Sequence, residues 1–298
     1  MDRSPRWGLA LAYAAICVIW GSTYLAIKVG LESFDPFFYA GLRYLLAVAL
    51  LTPVALASGV RFEGPLRRWW RAVVVGLLFI GYCNGLVFWA ETRLDSSFTA
   101  LLITATPVWT ALLQMLVPGE RRLGVRGWVG IVAGFSGSIV LLAPWHAGRL
   151  EFVPALVVEA TVVVWAATSL WVRRVGSTFH PMALTVVQMA SGSAVLLGVA
   201  ALRGRALVGP VTTRALAGLG FLVVFGSCVA FGAYFFLLRH WDAAKVSSSG
   251  FINPAVALVL GWLLLDERIT LAMIVGTAVV LLGVALVLHE ERLSRRRP

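Results

Sequence analysis

The sequence predicts an all-α integral membrane protein whose ten transmembrane helices form two inverted five-helix repeats. Hydrophobic residues make up 60% of the 298-residue chain and charged residues only 13%, about half the charge that a soluble domain carries. Uncharged runs of about 20 residues, the length that crosses a bilayer, recur from end to end. The two halves of the chain also share residues at corresponding positions, which indicates an internal duplication.

Ten apolar segments are long enough to be membrane spans, and short polar connections separate them. The first apolar run, of about 20 residues, is longer than the core of a cleaved signal peptide, which has about 7–15 residues. We therefore expect it to be a permanent helix. The ten predicted segments are 8–28, 36–58, 72–91, 97–117, 127–144, 152–172, 180–202, 215–238, 247–265 and 270–289.

Lys and Arg residues predict the orientation of these segments. Most of the 25 Lys and Arg residues fall in the connections on one side if both termini are cytoplasmic. The connection 203–214, with Arg203, Arg205 and Arg214, is an exception. Because the cations lie between apolar runs, we interpret the net charge of +11 as a signal of topology and not of nucleic-acid binding. The pattern predicts a multi-pass protein of a bacterial inner membrane, in contact with the lipid bilayer.

Residues recur between the two halves at an offset of 145–147 positions. The corresponding pairs are Trp20 with Trp165, Thr23 with Thr168, Pro36 with Pro181, Gly85 with Gly232, Asp95 with Asp242, Pro107 with Pro254 and Glu120 with Glu267. Five spans is an odd number, so the second half must enter the membrane in the opposite direction. We expect one repeat over residues 1–145 and a second over residues 146–298, with a substrate site near the midplane between them.

These repeated motifs resemble those of the EamA family, which belongs to the drug/metabolite transporter superfamily. One motif is Trp20-Gly21-Ser22-Thr23. A second is the series Thr106-Pro107, Gly119-Glu120-Arg121, Gly127 and Gly130. The second half of the chain repeats this series as Asn253-Pro254, Asp266-Glu267-Arg268, Gly276 and Gly283. The resemblance covers essentially the whole chain, and within the family it is closest to the amino-acid exporters called YddG. It implies a secondary transporter that exports aromatic or other neutral amino acids and related metabolites by alternating access.

Two charged residues lie deep in predicted spans. Arg43 and Glu159 each stand seven residues past the start of a span, about 10 Å into the membrane at 1.5 Å per residue. A charge at the bilayer centre costs about 2.5–3.5 kcal/mol on insertion scales. We expect them to face the cavity, either paired with each other or holding the carboxylate and ammonium of a zwitterion. The alternatives are a structural ion pair, or an Arg43 side chain that extends to the interface.

Aromatic and polar side chains supply the other candidate binding residues. Those on inward-facing helical positions would suit a mostly apolar ligand cavity, although aromatic stripes also serve helix packing or the membrane interface. The candidates are Trp20, Tyr24, Tyr82, Asn84, Trp89, Trp109, Trp165 and Gln188. On a helical wheel Glu159 lies about 120° from Trp165, so these two side chains cannot both point at one narrow site.

Proline and glycine predict local irregularity and close packing. Pro107 and Pro254 fall inside the fourth and ninth spans and free the carbonyl groups of Ile103 and Gly250, creating either a hinge or a static kink. Glu120 and Glu267, at span ends, are expected to cap and anchor helices. Gly130, Gly134, Gly276 and Gly283 suit close helix packing in the fifth and tenth spans.

Other functional classes find little support. The four histidines lie at loops or span ends and the three cysteines have no metal-ligand spacing, so neither an enzyme, a metal site nor a cofactor is predicted. The expected partner is a small-molecule substrate, and a monomer would suffice because the chain holds both halves. The alternative function is a proton-coupled exporter of cationic drugs, with Glu159 as its membrane-embedded acid.

Overall fold

The computed structural model describes residues 6–62, 66–116, 124–142, 152–175, 179–241, 246 and 248–295. Within these ranges the chain is helical, and an isolated antiparallel bridge joins Phe34 to Leu207. Glu120, Asp242 and the predicted boundary between the repeats at 145/146 lie outside the described residues.

The helices follow one another with short connections. In chain order they are α1 (Arg6–Gly30), α2 (Pro36–Ala57), α3 (Leu66–Gly76), a first π-helix (Leu77–Asn84), α4 (Gly85–Glu91), α5 (Ser96–Ile103), α6 (Thr106–Met115), α7 (Val125–Leu142), α8 (Phe152–Val175), α9 (Pro181–Arg203), α10 (Thr213–Phe221), a second π-helix (Leu222–Val229), α11 (Ala230–His240), a 3-10 turn (Ser248–Phe251), α12 (Ile252–Leu265) and α13 (Leu271–Arg295).

Seven of the described helical segments are long and apolar enough to cross a membrane. They are Trp7–Gly30, Pro36–Ala57, Arg67–Glu91, Ser96–Met115, Phe152–Val172, Pro181–Arg203 and Thr213–His240. Three further apolar segments in the described part of the chain are shorter, namely Val125–Gly134 within α7, Ile252–Leu265 (α12) and Leu271–Gly283 within α13. Each of the ten predicted segments overlaps one of these helices, and seven of the ten meet the length of a span.

Helices α2 and α9 start in the same way, 145 residues apart. The Asp35 carboxylate accepts hydrogen bonds from the backbone N–H groups of Phe37 and Phe38 at 3.0 and 3.3 Å, and Pro36 occupies the first turn. His180 takes the same capping position ahead of Pro181 in α9. Proline fits there because its fixed φ is already helical and its missing N–H has no partner at a helix start.

The two π-helices also lie 145 residues apart, at Leu77–Asn84 and Leu222–Val229. This offset matches the one between Trp20 and Trp165. A π-helix is rare and often marks a functional site, because its wider turns displace backbone and side chains from regular helical positions. In packing, α2 lies against the second π-helix and α9 against the first. Each π-helix is thus covered by a helix from the other half of the sequence.

Glycine allows two helix pairs to approach closely. A Cβ atom added to Gly283 would lie 2.5 Å from the Gly130 carbonyl oxygen and 2.5 Å from the Gly134 nitrogen, so α13 packs directly against the backbone of α7. Gly21 of α1 is equally restricted, because its added Cβ would lie 2.6 Å from the Val256 side chain of α12. The close packing predicted for Gly130, Gly134 and Gly283 is confirmed.

At one end of the bundle, the connection 31–35 pairs with the connection 204–212. The Asp35 N–H donates to the Ala206 carbonyl oxygen at 3.0 Å, and Arg203 Nε lies 3.5 Å from Asp35 Oδ2. The Ser33 hydroxyl donates to the Pro210 carbonyl oxygen at 2.7 Å. Arg203, one of the cations that departed from the predicted charge bias, thus has a local role in joining the ends of α2 and α9.

Replacing Gly283 with alanine is expected to lower the stability of the protein. The new methyl group would overlap backbone atoms of α7 that cannot move aside, and overpacking of this kind costs about 1–3 kcal/mol. We expect the apparent Tm of the purified protein in detergent to fall by about 2 °C or more. Gly198→Ala is the matched control, because nothing lies within 4 Å of its added Cβ. Equal Tm values for the two variants would contradict this packing.

Candidate substrate-binding site

A cavity of about 110 Å³ lies between the helices, enough space for several water molecules or a small organic group. Its walls come from α1, α2, the first π-helix, α4, α5, α6, α8, α11, the 3-10 turn and α12. The lining residues are Trp20, Thr23, Tyr24, Ile27, Arg43, Cys83, Asn84, Val87, Ile103, Thr106, Thr161, Val162, Trp165, Phe231, Tyr234, Ser249, Gly250 and Asn253. Both halves of the sequence therefore contribute to it.

Five of the ten predicted binding residues line this cavity. They are Trp20, Tyr24, Arg43, Asn84 and Trp165. Ile103 and Gly250, whose carbonyl groups the two prolines were predicted to free, line it as well. Tyr234, Ser249 and Asn253 were not predicted. The last two could have been suggested by the sequence, because they are polar residues shortly before Pro254 in an apolar segment.

Aromatic rings form the most continuous part of the wall. Trp20 and Trp165 occupy corresponding positions of the two halves, and their rings meet edge to face with centroids 5.9 Å apart. Tyr234 lies 5.1 Å from Trp20 and 5.9 Å from Trp165, and Phe79 stands behind Trp165 at 4.3 Å. Such pairs add about 0.5–1.5 kcal/mol each beyond burial, so the rings are held in fixed orientations around the space.

Arg43 is the charged residue of the cavity wall. Its side chain is buried, with a relative exposure of 2%, and Nε donates to the Ser227 hydroxyl at 2.8 Å. The guanidinium carbon lies 4.7 Å from the centre of the Tyr44 ring. Guanidinium has five N–H donors, and the bond to Ser227 is its one hydrogen bond to the described residues. Its remaining donors are therefore available to a ligand.

The second π-helix makes room for this guanidinium. A Cβ atom at Gly226 would lie 2.9 Å from Arg43 Nη2 and 3.0 Å from the Thr23 methyl group. Glycine therefore allows the π-helix backbone to lie close to the charged group. The Gly226 carbonyl oxygen also accepts a hydrogen bond from Trp20 Nε1 at 3.4 Å, which links the aromatic wall to the arginine.

Glu159 lies outside the set of lining residues and forms no ion pair with Arg43 in the described part of the chain. Its Oε2 accepts a hydrogen bond from Trp109 Nε1 at 3.4 Å, and its Oε1 is buried without a hydrogen-bond partner. The direct Arg43–Glu159 pair, one of the predicted alternatives, is thus not formed. Trp165, 120° around the same helix, does line the cavity, in keeping with the angular conflict noted from the sequence.

The other predicted candidates are not among the residues that line the cavity. Tyr82 is 39% exposed, and Trp89 packs beside Ala90 and Leu94. Gln188 of α9 is fully buried, and neither atom of its amide has a hydrogen-bond partner among the described residues. The backbone of Gln188 lies directly against Gly76, where an added Cβ would be 2.3 Å from its carbonyl oxygen.

Both prolines stand where the helix is interrupted. A turn at residues 104–105 separates α5 from α6, and the Thr106 hydroxyl donates to the Ile103 carbonyl oxygen at 2.6 Å. The 3-10 turn precedes Pro254, and the Asn253 amide, oriented by its neighbours, donates to the carbonyl oxygens of Ser249 and Cys17 at 3.1 and 2.9 Å. Side chains thus provide partners around the interrupted backbone, as a membrane interior requires.

A charged cluster at the ends of α1, α4 and α12 was only partly anticipated. Glu267 accepts hydrogen bonds from the backbone N–H groups of Ser96 and Ser97 at 3.0 and 3.1 Å, so its predicted capping role is confirmed and it caps α5. Lys28 Nζ donates to the carbonyl oxygens of Glu91 and Leu94 at 2.9 and 2.7 Å. The Glu91 carboxyl group, which the sequence analysis missed, is fully buried.

These features define a polytopic membrane protein with a ligand-sized cavity between its helices, the kind of site in which membrane carriers hold small molecules. The model of the EamA-like transporter family matches residues 6–143 and, a second time, residues 154–289. The chain therefore belongs to the EamA-like transporter family.

Relatives agree with this assignment over nearly the full length of the chain. The uncharacterized inner membrane transporter YedA of Escherichia coli (strain K12) is 31% identical over 290 residues, which cover 96% of this chain and 92% of YedA. The uncharacterized transporter YvbV of Bacillus subtilis (strain 168) is 25% identical over 99% of this chain and 96% of its own. A protein of known crystal structure has the same fold, with a TM-score of 0.73 at 21% identity over 97% of this chain and 99% of that one.

Replacing Thr106 with valine is expected to destabilise the protein by about 1–2 kcal/mol, because the Ile103 carbonyl group would be buried without a partner. Thr110→Val is the control, since the Thr110 hydroxyl bonds the Thr106 carbonyl within a regular helix at 2.8 Å. Thermal unfolding in detergent should show a lower Tm for Thr106→Val than for Thr110→Val. The reverse order would show that the turn at 104–105 does not depend on this hydroxyl.

Proposed function

We propose that this protein is a secondary transporter that exports aromatic or other neutral amino acids and related small metabolites by alternating access. The observation that carries the proposal is Arg43, a buried guanidinium on the wall of an aromatic cavity. Its hydrogen bond to Ser227 is its one hydrogen bond to the described residues, so among them its other donors are unused. A buried arginine pairs best with a carboxylate, which it can bind through two parallel hydrogen bonds.

The rest of the cavity suits the other parts of an amino acid. The rings of Trp20, Trp165 and Tyr234 offer an apolar surface to a side chain and negative faces to an ammonium group. The backbone around Ile103 and Gly250 is irregular, and carbonyl oxygens at interrupted helices bind cations in other transporters. An amino acid would thus place its carboxylate on Arg43 and its ammonium toward the aromatic faces and carbonyl groups.

Alternating access would come from two inverted five-helix halves, with boundaries near residues 145 and 146. The paired starts of α2 and α9 and the paired π-helices, each 145 residues apart, support this arrangement. We place the protein in a bacterial inner membrane with both termini cytoplasmic, on the charge bias of the connections and the description of YedA as an inner membrane transporter. In this scheme a single chain provides both halves and acts as a monomer.

A second candidate, proton-coupled export of cationic drugs, is favoured by one observation. The Glu159 carboxylate has an oxygen that is buried without a hydrogen-bond partner, as a proton-carrying acid would have before a cation binds. The cavity itself carries Arg43, which would repel a cationic drug. The amino-acid proposal explains Arg43, which lines the cavity, whereas the drug proposal explains only Glu159, which is not among the lining residues.

Counterflow in proteoliposomes tests the two functions directly. Vesicles loaded with an unlabelled amino acid should accumulate the same labelled amino acid, tested over a panel of neutral and aromatic members. A quaternary-ammonium dye serves as the cationic substrate, with and without a pH gradient. Exchange of amino acids supports the first proposal. Movement of the dye alone, driven only by the gradient, would replace it with the second.

Arg43→Ala is expected to reduce amino-acid exchange at subsaturating substrate by about 10-fold or more, since a hydrogen bond to a charged group contributes about 1.5–3 kcal/mol. Arg43→Lys should recover only part of the loss, because an ammonium group cannot bind a carboxylate in the same bidentate manner. The exposed Arg214 supplies the control variant Arg214→Ala. Full exchange by Arg43→Ala, in protein that elutes as a monodisperse species, would exclude Arg43 as the carboxylate-binding group.

A further inference from the structure

Glu91 is a buried acid that has no role in the substrate binding proposed above. Its side chain has a relative exposure of 0%, and neither carboxyl oxygen has a hydrogen-bond partner among the described residues. An ionised carboxylate buried without hydrogen bonds costs several kcal/mol. A protonated carboxyl group avoids most of that cost, so this environment favours a bound proton.

The position of Glu91 connects it to the substrate cavity. Val87, one helical turn earlier in α4, lines the cavity, and so do Tyr24 and Ile27 of α1, the latter next to Lys28. Residues four apart lie on the same helix face, so Glu91 and Lys28 both stand one turn beyond the cavity wall. A movement of α1 or α4 that changes the cavity would therefore also change the surroundings of this carboxyl group.

A counter-charge is already in place for the ionised form. Lys28 Nζ is held by the carbonyl oxygens of Glu91 and Leu94, which use two of its three N–H donors. The third donor has no acceptor among the described residues, and the ammonium lies within electrostatic reach of the Glu91 carboxyl group. Loss of the proton can therefore be compensated by a small shift of Lys28.

The other groups within electrostatic reach of Glu91 are the phenols of Tyr24 and Tyr39 and the carboxylate of Glu267. Asp95 follows nearby in the connection to α5, and its burial together with the negative charge of Glu267 raises its pKa above the ordinary value for aspartate. From α2, the Arg43 charge acts on Tyr39. On α8, the carboxyl group of Glu159 accepts a hydrogen bond from Trp109 Nε1. The negative charge of Glu267 further disfavours an ionised Glu91.

We propose that Glu91 binds the proton that drives this transporter. The proposal rests on the transport function proposed above and assigns its coupling ion. The Glu91 carboxylic acid releases one proton to form a carboxylate paired with Lys28, and it regains one proton from water when the pair separates. An exporter draws energy from the inward proton gradient when the proton enters as the substrate leaves, so we assign proton–substrate antiport.

Proteoliposomes test the assignment with a labelled amino acid that the wild-type protein exchanges. Vesicles with an acidic lumen should accumulate this amino acid above its external concentration, because protons leave as it enters. Glu91→Gln should lose this accumulation but keep counterflow within about 2-fold, since counterflow needs no net proton movement. Glu91→Asp, which retains an acid, should keep gradient-driven accumulation. The exposed acid Glu32 supplies the control Glu32→Gln, which should behave as wild type.

The outcomes separate this assignment from the function itself. Counterflow by the wild type with no response to pH, or undiminished accumulation by Glu91→Gln, would overturn the role of Glu91 while leaving transport intact. Absence of counterflow for every amino acid would instead remove the proposed function. Infrared spectroscopy provides a readout without transport. At neutral pH the wild type should show the C=O stretching band of protonated carboxyl groups, and this band should be smaller in Glu91→Gln. A band of equal size in both proteins would also overturn the assignment.

Discussion

A bilayer contains no water to satisfy a peptide group, so each backbone N–H and C=O inside it needs a partner from the protein. The long helices of this chain meet that need internally. The helix is irregular at two π-helices, at the turn 104–105 and at the 3-10 turn 248–251. Residues in or directly beside each of these places line the cavity or contact its lining. Thr106 and Asn253 provide side-chain partners for the interrupted backbone. The cavity thus lies where the helices depart from regular geometry, and side chains there donate hydrogen bonds to backbone carbonyl oxygens.

The second constraint is charge. Arg43 and Glu91 are buried in positions where an ion costs several kcal/mol unless it is compensated. The surroundings of the two residues differ. Arg43 has Ser227, the face of Tyr44 and the space left by Gly226, and so remains a cation ready for an anionic group. Glu91 has no hydrogen-bond partner among the described residues, yet it lies beside Lys28. One residue is arranged to hold a constant charge and the other to change it, a combination that suits a carrier coupled to an ion.

The correspondence between the halves explains how these parts meet. The rings of Trp20 and Trp165, equivalent in sequence, contact each other across the cavity. Helices α2 and α9 each pack against the π-helix of the opposite half. The halves also differ, since Gln188, which stands 145 residues after Arg43, is buried without a hydrogen-bond partner among the described residues and lies outside the cavity wall. The two halves of the sequence therefore contribute different residues to the cavity wall.

Hydrophobicity and spacing by themselves determined the class of this protein, the positions of its apolar segments, the close packing at Gly283 and the interruptions at Pro107 and Pro254. These are properties of a segment and its neighbours along the chain, because lipid and backbone geometry act on every helix alike. The sequence also singled out Arg43, Trp20 and Trp165, since a charge or a repeated aromatic residue stands out within an apolar run. Only the tertiary structure decided that Glu159 bonds Trp109 and not Arg43, that Tyr82 faces outward, and that Glu91 is enclosed. Those outcomes depend on how each helix is rotated and on which neighbour covers it, and contacts between residues far apart in the chain set that rotation.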